Sequence, residues 1–202
     1  MRIDNVKTMS VGTDRVNRIE LDSKVVYRRR RFFTVRAKPY PEDGYAPVAR
    51  MEEDGVAITP QISRSWTFFV WDSVRGLWAT DLDYAGARAI DRSLPIPAPR
   101  YDTWDVAVAT AQQQAFCDAI DLLADGRDII IVGTHAPENY SAAMVTRMKR
   151  CGGSDANLSW TARNSYILVG RTGLGAGNAY HEVLNNVTLN GKSNSAQIDI
   201  EW

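Results

Sequence analysis

The sequence predicts a mixed α/β domain over residues 65–202, preceded by a small β-rich segment, and three patterns support that prediction. Residues 128–133 form a continuous β-branched run, which is typical of a central strand covered on both faces. Apolar residues recur at helical spacing over 105–125 and 140–151. Residues 197–202 alternate between apolar and polar, as in a strand with one buried face. Together these patterns predict a mixed β-sheet sandwich with two main helices.

Length and charge narrow the classes of protein to consider. A chain of 202 residues can form one sizeable core, or one domain with a smaller attachment. Lys+Arg and Asp+Glu each total 24, so no overall field draws the chain to nucleic acid or to an anionic membrane. The sequence shows no signal-like apolar region after Met1 and no run of 18 apolar residues. We therefore expect neither secretion by a visible signal nor a membrane span.

Residues 1–37 are expected to form a small all-β anchoring segment. The pattern predicts short strands at 6–11, 16–21 and 24–27. Their apolar set is too small to form a core alone, so the segment needs a neighbour to pack against. We predict a partner-binding surface that consists of Val16, Ile19, Leu21, Val25, Tyr27, Arg28 and Arg30.

Four consecutive arginines, Arg28–Arg31, precede a strand-like stretch at 32–35. A basic run beside aromatic residues can bind a phosphate backbone. In a strand, however, alternate side chains point to opposite faces, so at most half of the run forms one patch. We favour a solvated or partner-facing strand over nucleic-acid binding.

Residues 38–64 are rich in proline, glycine and acidic residues, as in 38–44 and 51–55. Such composition interrupts regular structure. It predicts a linker or extended arm, which separates the anchoring segment from the domain at 65–202.

The domain is expected to begin with a hairpin, with strands at 66–71 and 77–83. A proline-rich loop at 94–99 follows. The first helix, over 105–125, has its apolar residues at helical spacing and stops at Gly126.

The second half of the domain follows the central strand. Asn139 can cap the helix at 140–151, and the glycine pair 152–153 can end it. Residues 165–170 predict a further buried strand, before a glycine-rich stretch.

Cys117 and Cys151 lie on the two predicted helices beside apolar residues. The sequence alone is compatible with two buried thiols and with one disulfide between them. Together with His135 and His181 they fall short of any spaced set of metal ligands. We therefore expect no metal and no cofactor.

Three patterns could support catalysis or cofactor binding, and each has a simpler explanation. The glycines of 173–177 match neither a dinucleotide motif nor a P-loop, so turns with positive φ explain them better. His135, near Glu138 at the end of the central strand, is typical of a hydrogen-bonding surface loop. Four carboxylates lie around predicted strand ends, where turns often contain aspartate: Asp81, Asp83, Asp102 and Asp105. We expect no enzyme, and a glycan-acting enzyme is kept as an alternative.

Aromatic residues are the stronger signal for binding, since the chain has six tryptophans and eight tyrosines. Flat rings stack on sugars or fill protein pockets, although most of them pack in cores. The predicted ligand-binding residues are Trp78, Trp104, His135 and Trp160.

The domain resembles a known family in the order of its segments. Those segments are residues 65–72, 100–104, 129–132, 147–153 and 164–173. Over roughly residues 60 to 202 they resemble the interleukin-like EMT inducer domain. The resemblance implies a sheet-and-helix fold without established catalytic residues, used in animal relatives for signalling or carbohydrate binding.

Two further segments are similar to bacteriophage proteins. Residues 173–182, with the closing strand 198–202, resemble the versions of the domain in phage tail proteins. Residues 11–27 are similar to a hairpin phrase frequent in phage tail and fibre proteins.

These resemblances imply a structural virion component of the tail tip, baseplate or fibre attachment. We expect it in the virion tail, and in the host cytoplasm during assembly. The implied partners are other phage tail proteins, further copies of the chain and a host surface glycan. A free carbohydrate-binding or signalling module is the alternative.

Overall fold

The computed structural model describes residues 18–21, 24–28, 31–38, 48–61, 65–73, 75–103, 105–134, 140–156, 158, 164–189 and 192–202. The chain divides into two compact units. One comprises residues 33–200, and the other comprises residues 1–32 with 201–202.

The smaller unit contains an antiparallel hairpin formed by β1 (Arg18–Leu21) and β2 (Lys24–Arg28). The register shifts between Ile19 and Glu20. The hairpin confirms the predicted strands over most of their length. The expected strand at 6–11 lies outside the described residues.

From Phe32 onward the structure forms further strands and helices. In chain order they are β3 (Phe32–Lys38), β4 (Val48–Glu53), β5 (Val56–Ala57), β6 (Ser65–Asp72), β7 (Leu77–Trp78), β8 (Ala89–Asp91), β9 (Ala98–Arg100), α1 (Ala109–Asp121), β10 (Asp128–Thr134), α2 (Ala142–Arg150), β11 (Ser165–Arg171), β12 (His181–Leu184), β13 (Val187–Leu189) and β14 (Lys192–Glu201).

In the described part of the chain these strands build two larger sheets. The first sheet has the order β12-β11-β10-β6-β7, and its neighbours pair antiparallel. The second sheet has the order β13-β14-β3-β4-β5. A short ribbon pairs β8 with β9. The chain is therefore a mixed α/β protein with mostly antiparallel sheets, as the sequence predicted at this coarse level.

The first sheet is buried on both faces because its strands carry apolar residues at successive positions. On β6, Trp66, Phe68 and Val70 belong to the same core cluster as the inward residues of both helices. The intervening residues, such as Phe69 and Trp71, are also buried. On that face Trp71 packs edge-on against Phe33 of β3, with ring centroids 5.7 Å apart. Helices thus cover one face, and the second sheet covers the other.

The closing strand confirms its predicted alternation. On β14, Ala196, Ile198 and Ile200 are buried, whereas Asp199 and Glu201 are exposed. The strand is longer than expected, because it starts at Lys192.

The segment expected to be a linker contains regular structure. Residues 48–57 form β4 and β5, and β4 pairs with β3 along six residues. Ala49 and Met51 alternate into the interior and are fully buried. This alternation outweighs the proline and glycine composition around it. These strands belong to the larger unit, residues 33–200.

Three other elements differ from the sequence prediction. Only Leu77 and Trp78 pair with β6 in the expected strand 77–83, since the chain then turns away from the sheet. Helix α1 is shorter than 105–125 and ends at Asp121. The cap of α2 is Ser141, whose hydroxyl accepts from the Met144 N–H at 3.3 Å, whereas Asn139 lies outside the described residues.

Two glycines allow close approach in the core of the larger unit. Gly133 of β10 lies opposite Trp66, and a Cβ there would stand 2.6 Å from the indole ring. A Cβ on Gly170 of β11 would collide with the Cys151 carbonyl oxygen. That carbonyl ends α2 and accepts from the Arg171 N–H at 3.2 Å. The end of α2 therefore rests directly on the β11 backbone.

Replacing Gly170 with alanine is expected to lower the free energy of unfolding by about 3 kcal/mol, because backbone atoms must move to admit the methyl group. Gly76→Ala is the control, since its Cβ meets nothing and the cost is roughly 1 kcal/mol for the positive φ alone. Urea denaturation measures both. Equal losses in the two variants would contradict the close contact.

Candidate functional site

A groove of about 800 Å³ opens at the β7 edge of the first sheet. Its buried base is formed by Phe68 and Val70 of β6. Residues 77–83 line one side, and residues 122–124, after α1, line another. The groove exists because the chain leaves the sheet after β7, so the edge of β6 is not covered by a longer strand.

Tyr84 anchors the loop that carries residues 79–83. Its ring is buried and packs edge-on against Phe68, with centroids 5.6 Å apart. Tyr101 stacks on the same phenylalanine at 5.9 Å. Burial raises the pKa of Tyr84 to about 12 and raises that of Tyr101 as well. The loop is thus fixed by packing of Tyr84 in an aromatic cluster with Phe68 and Tyr101.

The apolar surface within the groove is aliphatic. Leu77 is 51% exposed and Leu122 is 66% exposed, and both line the groove. Trp78 also lines it but is only 7% exposed. Its ring packs edge-on between Phe33, at 5.3 Å, and Trp71, at 5.1 Å. The tryptophan that sequence reasoning favoured for ligand stacking is therefore mainly a core residue.

The charged lining residues fall into two sets. Arg75 and Arg127 each approach the Asp72 carboxylate at 3.7 Å. Asp81 and Asp83 are exposed, and no ion pair between described residues includes either of them. The groove combines exposed aliphatic groups with two carboxylates that form no ion pair with a described residue.

Asp102, one of the carboxylates considered for catalysis, lies in a buried ionic network. Its Oδ2 atom is 2.8 Å from Arg88 Nη1 and 2.7 Å from Arg100 Nη2. Asp105 shares Arg88 at 2.9 Å, and this contact holds the pKa of Asp105 below its usual range. Asp102 is thus engaged by two guanidinium groups and does not line the groove.

Gln112 of α1 connects this network to the helix. Its Oε1 accepts from the backbone N–H groups of Arg88 and Asp102, at 3.1 and 3.2 Å. Its Nε2 donates to the Gly86 carbonyl at 2.9 Å. One buried amide therefore fixes the start of β8 and the end of β9 against α1.

Both cysteines are buried and unbridged. Burial raises the pKa of Cys151 to about 12 and raises the pKa of Cys117. Of the two arrangements that the sequence left open, the structure shows buried thiols, which are weak nucleophiles at neutral pH.

The predicted anchor residues are described only in part. Ile19 and Leu21 lie on β1, and Val25, Tyr27 and Arg28 lie on β2, with Ile19 opposite Tyr27. Val16 and Arg30 lie outside the described residues.

One of the four predicted ligand-binding residues lies in the described part of the chain. Trp78 pairs with Trp71, which lies opposite Asp128 at the start of β10. Trp104, His135 and Trp160 themselves lie outside the described residues.

Sequence reasoning missed the two exposed leucines. One signal was present, because Phe116, Ile120 and Leu123 recur at helical spacing and Leu122 falls outside that set. Leu123 takes the core position, which leaves Leu122 at the surface. Leu77 gave no comparable signal, since it was assigned to a longer paired strand.

The glycine-rich stretch has the predicted geometry, with positive φ at Gly173, Gly175 and Gly177. Among the residues that the structure describes, no cluster of His, Cys, Asp and Glu could hold a metal ion. No described helix is long and apolar enough to cross a membrane.

Fold and groove together define a mixed α/β domain with an open surface groove. No model of a known protein family matches the chain. No curated protein matches it either.

Replacing Asp102 with asparagine is expected to destabilise the fold by about 3 kcal/mol, because two partly buried guanidinium groups lose their common counter-charge. Asp105→Asn is the matched control and should lose much less stability, since that carboxylate is 39% exposed and its ion pair is screened by water. Thermal and urea unfolding report both values. An unchanged stability in Asp102→Asn would show that the network does not support the fold.

Alkaline pH is expected to destabilise the domain through Tyr84. Because its pKa is higher in the folded chain than in the unfolded chain, the stabilisation is full below pH 10 and is lost as the pH rises to about 12. The loss is roughly 2 kcal/mol for this residue. Unfolding titrations between these pH values should show a shallower decline in Tyr84→Phe, with the remainder due to Tyr101. Identical slopes in both proteins would contradict this assignment.

Proposed function

We propose that this chain is a structural component of a bacteriophage tail, at the tail tip, baseplate or fibre attachment. In this proposal the domain at 65–202 is of the interleukin-like EMT inducer type, and it binds a protein or a glycan without catalysis. Its place is the virion tail, after assembly in the host cytoplasm.

The groove at β7 is the observation that supports a binding role. It exposes Leu77 and Leu122 beside the carboxylates of Asp81 and Asp83. Exposed aliphatic groups within a concave, charged surface are typical of an interaction site.

The surroundings of Asp102 and the two cysteines, which were considered for catalysis, also favour a binding role over an enzymatic one. Asp102 serves two arginines within the fold, and both thiols have raised pKa values. Groups engaged in this way contribute to stability and are poorly suited to proton transfer or nucleophilic attack.

The N-terminal hairpin is the proposed attachment to other tail proteins, and it supports assembly of several copies in one virion. β1 and β2 form a two-stranded sheet, which is marginally stable in isolation and gains stability by packing on a neighbour. The tail assignment itself depends on the resemblance of residues 11–27, 173–182 and 198–202 to phage tail proteins.

Mass spectrometry of purified phage particles tests the proposal. We expect peptides from this chain in intact particles and in isolated tails, at a fixed ratio to the other tail proteins. A host cytoplasmic protein of similar abundance serves as the control for contamination. Absence of the chain from washed particles would refute the structural role.

A further inference from the structure

We infer that the groove at β7 binds an extended peptide segment of a neighbouring protein, in which apolar and basic side chains alternate. This inference rests on the proposed binding function and chooses a protein segment over a glycan as the occupant. Three features of the groove support that choice.

The first feature is the character of its apolar surface. Leu77 and Leu122 offer exposed branched side chains, which contact other aliphatic groups well. A sugar is usually held by stacking on a flat aromatic face. The tryptophan in the groove cannot offer one, because Trp78 is packed between Phe33 and Trp71. The surface therefore suits a peptide side chain better than a pyranose ring.

The second feature is the edge of the first sheet. β7 is the last strand in the sheet order, and its one described sheet neighbour is β6. The residues that follow it, up to Asp83, continue along the groove. An extended segment can lie along this edge and direct alternate side chains into the groove.

The third feature is charge. Asp81 and Asp83 stand two residues apart on the loop after β7, and no described ion pair neutralises them. Arg75 and Arg127 both face Asp72. The lining thus holds three carboxylates and two guanidinium groups, and the two carboxylates outside an ion pair, Asp81 and Asp83, complement lysine or arginine side chains.

Fluorescence anisotropy with a labelled peptide of alternating valine and arginine tests this inference on the full chain. We expect saturable binding that weakens with added salt. A peptide of alternating valine and glutamate should bind at least about tenfold more weakly, because its charges repel Asp81 and Asp83.

Variants locate the binding surface. Asp81→Asn with Asp83→Asn should weaken the binding by about tenfold, and Leu122→Ser by about fivefold. Val106→Ser is the matched control, because Val106 is 84% exposed but does not line the groove, and it should leave the binding unchanged. Circular dichroism of each variant checks that the fold is intact.

The other outcomes overturn the inference in distinguishable ways. If the arginine peptide does not bind, or binds equally well to the Leu122→Ser chain, the groove is not its site. If an N-acetylglucosamine tetramer binds instead and Leu122→Ser abolishes that binding, the occupant is a glycan and the proposed function stands. If sedimentation shows self-association that Leu122→Ser abolishes, the occupant is a second copy. Failure of the proposed function is read separately, from the particle proteome.

Discussion

The rest of the domain depends on β10. This strand is buried on both faces and is paired along both edges. All seven residues of this strand are buried, and each of the seven pairs with a residue of β6 on one side and of β11 on the other. A strand in this position needs a layer on each side, since exposure of either face would return isoleucine and valine side chains to water. Its first residue, Asp128, is charged and buried, and an ion pair with Arg171 at 2.7 Å compensates the burial of its carboxylate.

The helix layer is held to this sheet by contacts of two kinds. Gly170 lets the end of α2 lie on the β11 backbone. Arg150, on the same helix, donates to the carbonyl oxygens of Ile120 and Leu123 at the end of α1. The position of α1, and hence of the exposed Leu122 beside it, therefore follows from interactions with α2 and the sheet.

The groove and the ionic network share one region of the chain but differ in role. Asp102 and Gln112 face inward and fix the segment between β8 and α1. Their side chains form hydrogen bonds and ion pairs within the fold. Asp81 and Asp83 lie on a loop anchored by Tyr84, and their carboxylates face solvent. Stability and recognition can thus be altered separately, although the residues concerned are close in sequence.

The sequence by itself determined the buried strands, the two helices and the alternation of β14, because periodicity and β-branched runs report burial locally. It did not determine that residues 48–57 join the second sheet, that β7 stops after Trp78, or that Trp78 is enclosed by Phe33 and Trp71. Those features depend on partners distant in the chain, and a residue's own neighbours in sequence carry no information about them. The tertiary structure alone decided which leucines and carboxylates meet in the groove, since their exposure follows from how the layers close and not from their residue type.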